Sequence, residues 1–293
     1  MTKGINVSQQ NFNLGRYQVN EKIVIGRPDN DFIEIVHEHD DLPYVLSLFE
    51  SDIAAVGRVT ASDTKLLVPL DPHARIFSIA VNYRAHGAEA KAAPPQRPLM
   101  FYKAPSNFVG HGELLNPNSQ LTSKFDYEGE IAVVIGRECK NATLQNALDF
   151  VAGVCAFNDG SARDLGKVPL GDANPPTAFW PDWTANKALD AASAIGPTIT
   201  CGTKVLSELR DRNLRITTRL NDETVQSELM SEMIFSTEQI IATLSSYMKL
   251  LPGDVIATGT PAGVGVARNR FLKSGDRLEF EVSGLDALKV TVS

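Results

Sequence analysis

The chain has 293 residues, 43% of them hydrophobic, enough to bury a large core in one domain or two. Its formal net charge is −7 and it has no lysine and arginine cluster, which argues against nucleic acid or an anionic membrane surface as a partner. No apolar run approaches the roughly 18 residues of a spanning helix, and MTKGINVSQQNF lacks the apolar segment and cleavage site of a secretory signal, so a cytoplasmic protein is expected.

Residues 17 to about 70 alternate short β-like runs, YQVNEKIVIG and DFIEIVHE, with a helix predicted over DLPYVLSLFES, where Asp41 can cap and Pro43 suits the first turn. They are read as a small N-terminal α+β domain, residues 1–72, with PLDPHAR (Pro69 to Arg75) marking the boundary and residues 73–293 forming the larger domain. Strands are predicted next at IFSIAVNY, EIAVVIG and VAGVCAFND. Cys155, inside the last of these, reads as a core residue; with Cys139 and Cys201 it makes an odd number lacking CxxC spacing, against a disulfide framework or zinc knuckle. The insertion VPLGDANPPTAFWPDW (Val168 to Trp183) reads as a pocket lid or a dimer contact.

Further along, RNLRITTRLNDETVQSE alternates around Asn221-Asp222 and reads as a hairpin. STEQIIATLSSYMKLL carries a capping box at Ser236 and Gln239 and an apolar stripe of Ile240, Ile241, Leu244, Met248 and Leu251. The final GDRLEFEVSGLDALKVTVS is strand, glycine turn, strand. Strands that arrive in hairpins, without strict alternation with helices, favour an α+β, mainly β fold over a doubly wound sheet.

Chemistry is concentrated in FDYEGEIAVVIG. Alternate residues of a strand share a face, so Asp126, Glu128 and Glu130 are expected on one side, about 7 Å apart per step. An exposed strand end with solvated acids is the bland reading, but Ala132, Val134 and Gly136 continue that face while Ile131, Val133 and Ile135 line the other, which places the acids near an interior. Interior carboxylates need a cation, and an oxygen-only donor set selects a hard one, Mg²⁺, Mn²⁺ or Ca²⁺, over zinc. Asp159 in CAFNDGSARD, which also ends an apolar strand, is the best further acid; an ordinary turn-forming role is its alternative. Asp164 reads as a local ion-pair partner in the same stretch.

Five segments in order, NYRAHGAE (Asn82 to Glu89), DYEGEIAVVIG (Asp126 to Gly136), FNDGSARDL (Phe157 to Leu165), NKALDAASAIGP (Asn186 to Pro197) and LLPGDVIATGTPAGVG (Leu250 to Gly265), make the chain resemble the fumarylacetoacetate hydrolase family. The resemblance implies a mixed-strand β-roll with a smaller N-terminal domain, assembled as a homodimer. It assigns Glu128, Glu130 and Asp159 to one Mg²⁺ or Mn²⁺, leaving Asp126 without a ligand role. By the same resemblance His86 and Glu89 are a catalytic pair, Lys187 a catalytic lysine, and Arg163 and Thr260 substrate contacts. Gly166 and Ala191 replace a glutamine and a threonine common in the family, and Asn186 replaces a glycine, which bears on the substrate and leaves the metal ligands intact.

His86 and Glu89 meet if their segment is helical, since i and i+3 share a face; a surface pair is the bland reading. Lys187 has the bland reading of a solvated lysine, and Arg163 that of an ion pair with Asp159 or Asp164. His37, His39, His73 and His111 fall outside the motifs and read as surface or structural. TGTPAGVG is no phosphate loop, since no G-K-[ST] follows it. The expected activity is metal-dependent hydrolysis of a carbon–carbon bond in an acylpyruvate or fumarylpyruvate-like diketo acid, in aromatic-compound catabolism. The alternative uses the same site as an oxaloacetate-type 2-oxo acid decarboxylase or a 2-hydroxyhepta-2,4-diene-1,7-dioate-type isomerase; a non-catalytic descendant is a third reading.

Overall fold

The computed structural model describes residues 11–49, 53–169 and 179–293. The chain begins as a meander of β1 (Phe12–Val19), β2 (Lys22–Asp29) and β3 (Phe32–His37), then helix α1 (Leu42–Ser47), β4 (Gly57–Thr60) and β5 (Thr64–Leu67). Asp41 caps α1 by accepting from the Tyr44 N–H, with proline in the first turn as expected. The central segment runs β6 (Ile76–Ala80), α2 (Arg84–Glu89), β7 (Leu99–Lys103), β8 (Phe108–Val109), β9 (Leu114–Leu115), β10 (Phe125–Asp126), β11 (Gly129–Ile135) and β12 (Val151–Asn158). Then follow β13 (Ser161–Ala162), β14 (Lys167–Pro169), β15 (Phe179–Pro181), α3 (Trp183–Lys187), β16 (Ser193–Cys201) and α4 (Thr203–Arg210). The chain closes with β17 (Arg215–Leu220), β18 (Glu223–Leu229), α5 (Thr237–Tyr247), β19 (Val255–Ala257), α6 (Gly265–Arg268), β20 (Arg277–Val282) and β21 (Leu288–Val292).

The mainly β fold expected from the sequence is the one observed. Among the described residues the large sheet has the order β4-β3-β2-β1-β16-β12-β11-β19-β6-β7, and a second sheet has the order β18-β17-β20-β21-β9. The N-terminal meander joins the large sheet directly, because the first half of β1 pairs with β16 at Phe12↔Cys201 and Leu14↔Ile199. β11 is buried on both faces. Ile131, Val133 and Ile135 pack with Phe280, Ile216 and the α5 residues Ile240, Ile241 and Leu244. Ala132 and Val134 pack on the other side with Phe157, Ile76 and the α1 residues Leu42, Val45 and Leu46. Each fully buried Ile, Val or Leu contributes about 1.5–3 kcal/mol, so β11 is held from both sides.

Strand direction then gathers the motifs. β11 is antiparallel to β12 and β19, and β19 is parallel to β6. The N-terminal end of β11 therefore lies beside the C-terminal ends of β12, β19 and β6, which lead to Asp159, to Thr258–Pro261 and to α2.

One local expectation changes and another falls largely outside the described residues. Helix α5 has the predicted capping box, with Ser236 Oγ accepting from the Gln239 N–H and Gln239 Oε1 accepting from the Ser236 N–H. It stops at Tyr247, however, and Leu251 is exposed, because Leu250 leaves the helix to bridge Cys139. The proposed lid at 168–183 falls largely on 170–178, outside the described residues; its flanks pair through β14 and β15.

Candidate active site

Glu128, Glu130 and Asp159 converge as the sequence suggested: each is buried, and one carboxylate oxygen from each lies within 4.8 Å of the others. Asp126 does not share their face. Strand pairing breaks after β10, and the Asp126 carboxylate turns to accept from the Gly265 and Val266 N–H groups at 2.7 and 2.9 Å and from Arg163 Nε at 2.8 Å. It ties the TGTPAGVG loop to the strand. Arg163 pairs with neither Asp159 nor Asp164: it bridges Asp126 and Glu128, its Nη2 lying 2.5 Å from Glu128 Oε1 without an aligned hydrogen bond. Asp164 accepts from Thr122 and Ser123.

Lysines supply the remaining positive charge. Lys187 Nζ lies 2.6 Å from Glu128 Oε2 and 2.8 Å from Asp159 Oδ2. Lys103, which the sequence reading passed over, ends β7 and places its fully buried Nζ 2.5 Å from Asp159 Oδ1. Its signal was the one that exposed Asp159: a charge closing an apolar strand, here LMFYK.

Burial would raise the Glu128 carboxyl, but the Arg163 and Lys187 charges outweigh it and hold that group well below the usual range. Glu130 is pushed well above it, first by burial and then by Asp159 and Glu128. Burial lowers Lys103, which faces one carboxylate, whereas Lys187, between two, is raised despite its own burial. With all groups ionised, four acids (Asp126, Glu128, Glu130, Asp159) meet three bases (Lys103, Lys187, Arg163). Among the described residues Glu130 has no ion pair of its own. The donor set, three buried carboxylates with one charge uncompensated, fits a hard divalent cation.

The second half of the site hangs on a constrained turn. Between β6 and α2, Val81 adopts φ 54°, a left-handed conformation unfavourable for a β-branched residue. Buried Asn82 pins it by donating to Thr258 O and Phe235 O and accepting from the Phe235 N–H. In α2, His86 Nδ1 lies 3.3 Å from Glu89 Oε2, the helical i, i+3 contact expected. The Glu89 carboxylate also accepts from the Gly263 N–H at 3.0 and 3.2 Å. A cavity of about 350 Å³ is lined by all eight residues singled out in the sequence: the three acids, His86, Glu89, Arg163, Lys187 and Thr260. Phe101 and Trp183, stacked at 4.9 Å, form part of its apolar wall, and Asn186 lies there too, against Gly166.

Comparison with known proteins agrees with this architecture. The description of the fumarylacetoacetate (FAA) hydrolase C-terminal family matches residues 75–293. The chain is 37% identical over 232 residues to oxaloacetate tautomerase YisK of Bacillus subtilis, spanning 78% of this chain and 72% of that protein. Fumarylacetoacetate hydrolase (EaFAH) from the psychrophile Exiguobacterium antarcticum superposes with a TM-score of 0.78 at 29% identity, over 96% of this chain and 99% of that one. The 2-hydroxyhepta-2,4-diene-1,7-dioate isomerase of Mycobacterium marinum gives a TM-score of 0.73 at 26% identity, over 96% and 98%. Sequence match, fold and the order of the strand-end motifs agree, and the chain belongs to the fumarylacetoacetate hydrolase family.

Proposed function

We propose that this protein is a divalent-metal-dependent enzyme that moves a proton at the carbon beside the oxo group of a short 2-oxo dicarboxylic acid of the oxaloacetate type. The observation that carries this reading is the presence, in one cavity, of an oriented imidazole and a buried three-carboxylate set flanked by cations. Names carried by relatives, a tautomerase and an isomerase, support the alternative drawn from the sequence over acylpyruvate hydrolysis.

Glu89 accepts from a backbone N–H and is therefore an acceptor toward His86 as well. The proton of the neutral imidazole then sits on Nδ1, leaving the Nε2 lone pair as the base. Nε2 removes a proton from C3 of the 2-oxo acid, the C–H pair becomes the C2=C3 bond, and the imidazolium returns the proton to the former carbonyl oxygen, giving the enol with no net change in atoms. A divalent ion held by Glu128, Glu130 and Asp159 would supply Lewis-acid polarisation of the oxo group. Arg163 and Lys187 offer positive charge to substrate carboxylates, and the uncharged wall of Phe101 and Trp183 limits water. Water in place of carbon acid at His86 would give hydrolysis, which is the second reading, and its support is the same His86–Glu89 pair. Homodimeric assembly is part of the proposal.

The test is to mix purified protein and Mg²⁺ or Mn²⁺ with the enol form of oxaloacetate and follow enol absorbance together with pyruvate release, with acetylpyruvate as a parallel substrate. Accelerated keto–enol exchange without pyruvate, lost in His86→Ala, is the expected result. Pyruvate and carbon dioxide from oxaloacetate, or pyruvate and acetate from acetylpyruvate, without faster exchange would replace the proposal by decarboxylation or hydrolysis.

A further inference from the structure

The peptide between the two glutamates of the acid set is held by side chains from elsewhere in the chain. β11 and β19 pair from Val134↔Val255 to Ala132↔Ala257, and the ladder ends there. Beyond it, Thr258 still bonds Ile131 O through both N–H and Oγ1, and the Gly259 N–H donates to Glu130 Oε2 at 2.8 Å. At Gly129 both backbone groups pass to side chains. The Gly129 N–H donates to Gln226 Oε1 at 3.0 Å, and Gly129 O accepts from Thr260 Oγ1 at 2.9 Å. Gln226 Nε2 closes the circuit by donating to Thr260 Oγ1, and also to Pro261 O, both at 2.9 Å.

This circuit is buried and tight. Gln226 and Thr260 are 2% and 3% exposed. A Cβ at residue 129 would lie 2.0 Å from Thr218 Oγ1, which sits opposite Gln226 on the neighbouring strand β17. The glycine of Glu-Gly-Glu is thus required by close approach of the second sheet. A threonine hydroxyl has a single hydrogen, and here it is given to Gly129 O; one acceptor position is taken by Gln226. The Thr260 side chain therefore has no proton left to donate to a substrate carboxylate.

We propose that Gln226 and Thr260 are positioning residues that clamp the Glu128-Gly129-Glu130 segment in the geometry a divalent cation needs, with Thr260 acting through this clamp in place of a direct substrate contact. The proposal rests on the reading of Glu128, Glu130 and Asp159 as the cation ligands. Groups that orient metal ligands typically cost about 10–100-fold in affinity when removed.

Mn²⁺ affinity of the full chain, measured by calorimetry below the melting temperature of each variant, tests it. Gln226→Met and Thr260→Val should each weaken Mn²⁺ binding about tenfold or more. Thr260→Ser, which keeps the hydroxyl, should bind as the parent does. The double variant should lose less than the product of the two single losses, since the two groups share one circuit. Folded Gln226→Met with parental Mn²⁺ affinity overturns the clamp, and Thr260→Val with raised KM and unchanged Mn²⁺ affinity returns Thr260 to the substrate. If the parent itself binds no Mn²⁺, the cation reading falls separately, and amide exchange at Gly129 decides: roughly tenfold faster in Gln226→Met supports the clamp, and an unchanged rate overturns it.

Discussion

Lys103 sets the most demanding electrostatic problem at the scale of single residues. Its ammonium is wholly buried, and its one strong partner, Asp159, is shared with Lys187. Removing one member of a buried pair costs roughly 3–5 kcal/mol because the other charge is left uncompensated. Lys103→Met, similar in volume, should lower the unfolding free energy of the metal-free protein by about that amount, softened by the second partner. A divalent cation brings back the missing positive charge, so Mn²⁺ should stabilise Lys103→Met more than it stabilises the parent; denaturant titrations with and without Mn²⁺ read the difference. Equal increments in the two proteins would show that Lys103 plays no part in the charge balance of the acid set. The acids were visible in the sequence because charge at either end of an apolar strand is an anomaly that can be seen locally, and Lys103, at the end of β7, follows the same rule with the opposite sign. Gln226 carries no such mark: it is a neutral polar residue in a polar hairpin, and only the packing of the second sheet against Gly129 makes it part of the site.

Among the elements, α2 shows how tertiary bonds replace intrinsic helix stability. Six residues with no side-chain hydrogen bond at the N-cap do not form a stable helix alone. The turn before it is fixed by Asn82, whose amide satisfies backbone groups of Phe235 and Thr258, and by the bridge of Tyr83 to Met233. Asn82→Ala leaves those buried groups unpaired, at about 1–3 kcal/mol, and frees Val81 to leave its left-handed conformation. A displacement of about 1 Å at a catalytic group can cost a hundredfold in rate, so kcat on the proposed 2-oxo acid should fall by about that factor with KM little changed. A variant that melts earlier yet keeps parental kcat would confine Asn82 to folding. The spacing of His86 and Glu89 showed that a helical turn would join them, whereas the anchor of that turn was not legible, because Phe235 and Thr258 are more than 150 residues away. Hairpins show the same divide. Asn221-Asp222 was read as a turn and both residues have positive φ, 51° and 70°. Asn20 and Asn30 occupy the equivalent position between β1, β2 and β3 at φ 54° and 52°, but Asn20 was absorbed into the run YQVNEKIVIG, where β-forming neighbours mask the turn residue.

Across the whole molecule, strand direction gathers the strand-end motifs, and strand order decides how the chain holds together. Local patterns identified β2, β3, β6, β11, β12, β17, β18, β20 and β21, but the pairing of β1 with β16, more than 180 residues apart, depends on which apolar faces are left to cover. That pairing gives the N-terminal residues a structural part in the site's support. Leu14, Ile25, Leu42, Val45 and Leu46 share one core with Ile76, Ala132, Val134, Phe157 and Val255, and this core backs the face of β11 that continues from Glu130. Burial of about 25 cal/mol per Å² of apolar surface makes such a shared layer cooperative, since neither part can leave without exposing the other. The full chain should therefore unfold in a single transition by calorimetry, with van't Hoff and calorimetric enthalpies in agreement. A chain beginning at residue 73 should lose the cover over Ala132, Val134 and Phe157, bind a hydrophobic dye and fail to take up Mn²⁺ with parental affinity. A monodisperse 73–293 fragment with the parental Mn²⁺ affinity would show instead that this segment completes its own core and that the meander is a detachable cover.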